Sequence, residues 1–172
     1  MARSRTIPDA DIFTAVRRLM AEGGEKAVAF GSVARATGLA APTLVQRYGS
    51  REGMVRAAML AAWDALDATT DAAESASGTG TKGAQALLKA LGNAAEEADT
   101  MLMAVDVRDA ELRNRAELWR ARIEAALAAR LGGGAKAREA AAMLFAAWQG
   151  QRLWQAMGGK GFRLKDAVKR LA

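Results

Sequence analysis

The chain has no cysteine and no histidine. The first absence removes disulfides, thiol nucleophiles and thiolate metal sites. The second removes the commonest general base, the commonest metal ligand and every Ser-His triad. Aromatic residues make up only 5% of the chain, and the β-branched residues that fill strands are thin as well. Proline occurs only at Pro8 and Pro42, so little interrupts a long helix. No run of about 18 apolar residues is present, which argues against a membrane-spanning helix. The first six residues, MARSRT, lack the apolar stretch of a signal peptide. The expectation is a soluble, cytoplasmic protein with no metal and no cofactor.

What remains favours helices. The 172 residues suit one domain, or two at most, and 51% of them are apolar. Alanine, the best helix former, supplies nearly half of that share. The fold class is therefore all-α. The net charge is +6, from 25 basic and 19 acidic residues. It is unevenly spread: residues 1–56 carry nine basic and five acidic groups, a net of +4. A basic bias over the first third points to a polyanion partner there, although a solvated charged surface reads the same way.

The apolar spacing predicts about nine helices. The first covers residues 8–22, with Thr6 as a candidate cap and Ile12, Phe13, Val16, Leu19 and Met20 on one face. Gly23-Gly24 stops it. Two short helices follow, over 31–37 and 42–48, joined by Gly38-Leu39-Ala40. Gly38 suits a left-handed cap, where a Cβ would clash. Ser50 is a good N-cap for a long helix over 51–70. Residues 74–82 (ESASGTGTK) read as a loop by composition. Further helices are expected over 83–98, 100–107, 109–131, 135–157 and 162–171, with glycine breaks at 132–134 and 158–159. Two glycine-rich pieces, 131–136 and 158–161, lack the G-x-x-x-x-G-K-[ST] spacing of a phosphate loop. No strand precedes either, both read as helix stops, and no enzymatic activity is expected.

Residues 33–59, VARATGLAAPTLVQRYGSREGMVRAAM, resemble the helix-turn-helix of the tetracycline-repressor-like (TetR) family of transcription regulators. Val33-Ala34 matches the family's aliphatic-Ala pair and Gly38-Leu39 its turn. Thr43-Leu44 matches the start of its recognition helix. Tyr48 stands at its terminal aromatic, and Ser50-Arg51-Glu52 stands for Ser-Lys-Glu. Val45 replaces the usual tyrosine, and Ala40 the usual serine or threonine cap. The resemblance implies a DNA-binding domain over 1–52 and a helical effector-binding and dimerisation domain over 53–172.

A short amphipathic helix can enter the major groove while its other face packs on its neighbours. Leu44 is the inward anchor, which leaves Ala41, Pro42, Val45, Gln46 and Arg47 outward. Gln46 can pair with adenine and Arg47 with guanine, or either can hold phosphate. Val45 or Ala41 can touch a thymine methyl. Thr43, Tyr48 and Arg51, at the ends of the helix, suit phosphate, and Tyr48 equally suits the core. Ser32 and Arg35 on the preceding helix can hold backbone, and Arg3 and Arg5 form a basic arm.

The penultimate helix is apolar nearly all round and must be buried on most sides. The resemblance makes it the dimerisation helix, with Ala142, Ala146, Gly150, Leu153 and Trp154 at the interface. Trp63, Met101, Met103, Trp119, Phe145 and Trp148 lie on helices that surround the family's ligand pocket, and each also fits an ordinary core. Glu96, Glu97 and Asp99 form an acidic cluster on what reads as a solvated helix face. The function so implied is a homodimeric repressor of a palindromic double-stranded DNA operator, released by a small, largely apolar effector. A helical architectural or adaptor protein without an effector fits the same sequence.

Overall fold

Apolar residues at helical spacing close the first part of the chain around a small core. The computed structural model describes residues 7–94, 109–155, 157–158 and 161–171. These form two compact units, dividing within one long helix at Ala65/Leu66. The described residues form eight helices and a 3₁₀ turn, with no strand. The expected helix over 100–107, the acidic cluster at 96–99, the basic arm and the Thr6 cap lie outside the described residues.

In the first unit α1 (Asp9–Gly23), a 3₁₀ turn (Glu25–Ala27), α2 (Phe30–Thr37) and α3 (Ala41–Tyr48) lead into α4 (Arg51–Ala76). Ile12, Val16, Val28, Val33, Leu44, Met54 and Ala58 are its buried core. α1 packs on α2, and α2 on α3. The residue at the N-cap of α1 is Pro8, which makes no side-chain cap. α4 opens with the expected cap: Ser50 Oγ accepts from Gly53 N at 2.9 Å.

The second unit takes α4 from Leu66, α5 (Gly80–Ala94), α6 (Ala110–Arg130), α7 (Gly134–Gln155) and α8 (Leu164–Leu171). Here the expected loop over 74–82 is corrected: α4 runs to Ala76 and α5 starts at Gly80. The extra turns of α4 are held from a distance. Arg122 pairs with Asp71 at 2.6 Å and with Glu74 at 2.8 Å. Arg130 donates to the carbonyls of Glu74, Ser77 and Gly78, satisfying the last turn, whose carbonyls have no helical partner. Between these, Trp119 Nε1 donates to the buried Thr70 Oγ1 at 2.9 Å. Asp109 caps α6 through bonds from Glu111 N and Leu112 N. α6 packs on α7, and α5 packs on both α6 and α8.

Candidate nucleic-acid interface

The turn between α2 and α3 is made by Gly38, at φ 75° and ψ 11°, whose N–H closes α2 on Ala34 O at 2.8 Å. That left-handed conformation strains any residue with a Cβ. Three residues later α3 begins with Pro42 in its first turn and no side-chain cap, as the Ala40 departure implies. A missing cap costs about 0.5–2 kcal/mol, and the fixed φ of proline offsets part of it.

Leu44 is fully buried and is the single buried residue of α3. Pro42, Val45, Gln46 and Arg47 are exposed, while Ala41 and Thr43 are half-buried. The helix therefore presents a mixed apolar and amide surface of the kind that reads base edges. Arg35 is exposed on α2, with no ion pair or hydrogen bond among the described residues.

Three other sequence-selected residues are engaged within the protein. Ser32 Oγ accepts from Ala29 N at 2.9 Å and lies 2.8 Å from Ala27 O, so it caps its own helix. Arg51 donates to Glu25 Oε1 at 2.6 Å, Glu25 O at 2.8 Å and Glu52 Oε1 at 3.0 Å. These carboxylates raise the Arg51 guanidinium above its already high value, and the charge stays fixed. Arg47 turns back along the protein: its Nη1 donates to Ile7 O at 2.9 Å and lies 3.4 Å from Asp9 Oδ1. The sequence offers Asp9 only as the capping-box partner of Thr6, and links neither Asp9 nor Glu25 to these arginines. The signal for them is tertiary, since each lies more than 25 residues from its partner arginine.

Tyr48 combines both readings given to it. Its ring is half-buried, 5.9 Å from Phe13, and its hydroxyl donates to Asp9 Oδ1 at 2.5 Å. Burial first, then the Asp9 carboxylate, push the phenol up to about 12. Tyr48 is the one tyrosine of the chain, so an ultraviolet titration follows it alone. The folded protein should show a midpoint near 12, against the ordinary 10 in denaturant. Because the folded pKa is raised, the stability it contributes is complete below pH 10 and is lost as pH rises through 12. A folded midpoint at 10 would contradict this geometry.

In the second unit Trp119, Phe145 and Trp148 are buried, with ring centroids 5.8 Å (Trp119–Phe145) and 6.0 Å (Phe145–Trp148) apart. Trp63 is buried in α4. These four candidate ligand residues are core residues here. Met101 and Met103 lie outside the described residues. A cavity of about 510 Å³ opens in the first unit, lined by Ile7, Pro8, Asp11, Thr14, Ala15, Arg18, Ala36 and Thr37.

Of the candidate interface residues, Ala146, Leu153 and Trp154 are exposed, and Ala142 and Gly150 are half-buried. The structure adds Met143, 58% exposed, on the same helix and Leu118, 60% exposed, on α6. Met143, Ala146, Gly150 and Trp154 follow one another at helical spacing, a signal already present in the sequence.

No protein-family model and no curated protein matches the sequence. Solved structures do. A transcriptional regulator from Rhodococcus sp. RHA1 superposes with a TM-score of 0.75 at 19% identity, covering 96% of this chain and 94% of that one. The TetR-family transcriptional regulator PfmR from Thermus thermophilus gives 0.67 at 20% identity, over 92% and 93%. A TetR/AcrR-family regulator from Thermobifida fusca gives 0.65 at 19%, over 95% and 93%. The chain has the fold of TetR-family transcriptional regulators, a helix-turn-helix followed by a helical body. Among the described residues no helix is long and apolar enough to cross a membrane.

Proposed function

We propose that the chain is a DNA-binding transcriptional regulator that reads a palindromic operator as a homodimer. One observation carries the reading: α3 buries Leu44 and leaves Pro42, Val45, Gln46 and Arg47 on its outer face. A helix so held can enter the major groove, with Gln46 on adenine and Val45 on a thymine methyl. Ala41 can likewise meet a thymine methyl, while Thr43 and Arg35 suit phosphate. The division we propose gives 1–52 to DNA, and 53–172 to effector binding and dimerisation. The compact units divide later, within α4.

The dimer reading is supported by the apolar stripe of Met143, Ala146, Gly150 and Trp154, with Leu118 on the helix packed beside it. Exposed apolar surface of this kind marks an association face, and a two-fold axis lets one patch cover its own copy. In repression the dimer occupies the operator, and an effector releases it by binding the free form more tightly. The close packing of Trp119, Phe145 and Trp148 favours the second reading, a DNA-binding adaptor or architectural protein without an effector.

Footprinting on DNA that flanks the chain's own gene tests the proposal. A protected site with two-fold symmetry is expected. Gln46→Ala should weaken its binding by about 1–3 kcal/mol per half-site and relax the preference at one base pair. Unchanged affinity and preference would remove Gln46 from the reading set.

A further inference from the structure

The last turn of α3 carries a cation and a hydroxyl that a duplex would attract, and both are held by one carboxylate of α1. Asp9 Oδ1 accepts the Tyr48 hydroxyl at 2.5 Å and lies 3.4 Å from Arg47 Nη1. The same Nη1 donates to Ile7 O at 2.9 Å, two residues before Asp9. The Phe13 ring, one turn further along α1, packs against Tyr48. Resting on the DNA-binding reading above, we propose that Asp9 is a positioning residue that limits sequence-independent affinity: it holds Arg47 and Tyr48 on the protein and off the phosphates, and leaves Pro42, Val45 and Gln46 to face the bases.

The physical reason is competition. Phosphate contacts supply affinity for every sequence, and each neutralised phosphate adds to the salt dependence. A cation already paired must leave its carboxylate before it can take a phosphate. Asp9 thus lowers binding to all duplexes through one contact, while the contacts to base edges remain. It leaves the ratio between operator and random sequence unchanged and sets how tightly the chain holds duplex DNA of any sequence. Arg51, tied to Glu25 and Glu52, is withheld in the same way at the start of α4.

The test is Asp9→Asn in the full chain, on a duplex enriched from a random-sequence pool and on a scrambled duplex. The variant should bind the scrambled duplex about 3–10-fold more tightly, and its salt slope should steepen by about one. The gain on the enriched duplex should be of the same size, so selectivity is unchanged. Because removal of any acidic charge favours DNA, the control is a double-mutant cycle with Arg47→Ala. In the Arg47→Ala background the Asp9→Asn gain should shrink to that general charge effect. Asp9→Glu should restore the wild-type slope, and the Tyr48 titration midpoint should fall from about 12 toward 10 in Asp9→Asn.

Weaker or unchanged binding by Asp9→Asn, or a gain undiminished without Arg47, would overturn the inference while leaving the DNA-binding reading intact. If the wild-type chain prefers no duplex at any salt, the DNA-binding reading itself fails and the inference falls with it.

Discussion

Leu44→Ala is expected to destabilise the first unit by about 2–5 kcal/mol and to abolish duplex binding. The side chain is fully buried and lies in one core with Ile12, Val16, Val28, Val33, Met54 and Ala58. No other residue of α3 is fully buried; half-buried Tyr48, packed on Phe13 and bonded to Asp9, is a lesser hold at its far end. Small domains are stable by roughly 5–15 kcal/mol, so a loss of this size removes a large part of the total. Thermal unfolding followed by circular dichroism checks the first part and a duplex titration the second. Leu44→Met, nearly equal in volume, should cost less than about 1.5 kcal/mol and retain binding. Full stability in Leu44→Ala would mean that α3 is held by something other than its buried face.

Met143→Glu is expected to dissociate the proposed dimer and to weaken operator binding by about 10²–10⁴-fold. Two linked reading heads bind more tightly than either alone by such factors when the geometry lets both engage. Met143 lies mid-helix on α7, exposed within one copy, and the opposite face of that helix is filled by Ala137, Ala141, Leu144 and Trp148. A carboxylate there costs nothing in an isolated monomer and is costly to bury unpaired in a two-fold contact. Sedimentation should show a monomer of 18.1 kDa with unchanged helicity. A Met143→Glu protein that remains dimeric would place the interface on another face. One that loses its fold would show that Met143 belongs to the monomer's own packing.

The elements that local chemistry decides were legible in the sequence. Gly38 marks the turn because only a residue without a Cβ takes its φ easily. Leu44 stands out as the single large apolar side chain on the inner face of α3. Ser50 caps α4 because its hydroxyl reaches a bare N–H three residues on. The far end of α4 was not legible, because its composition reads as a loop. It is helical because Arg122 and Arg130 reach it from about fifty residues away. The electrostatics of the reading head were hidden for the same reason. Ser32, Arg47 and Arg51 look free along the chain, and folding brings Ala27, Asp9 and Glu25 to them. The aromatic residues read as pocket or core with equal ease, since both require large apolar side chains at helical spacing. Their ring contacts place Trp119, Phe145 and Trp148 in the core.

The most direct test of the account is selection by the purified protein from a pool of random-sequence duplexes at physiological salt. The account predicts enrichment of one two-fold symmetric sequence, its half-sites about 34 Å apart or a multiple of that, bound by two copies of the chain. Recovery of a pool with no preferred sequence, or of an asymmetric site bound by one copy, would contradict it.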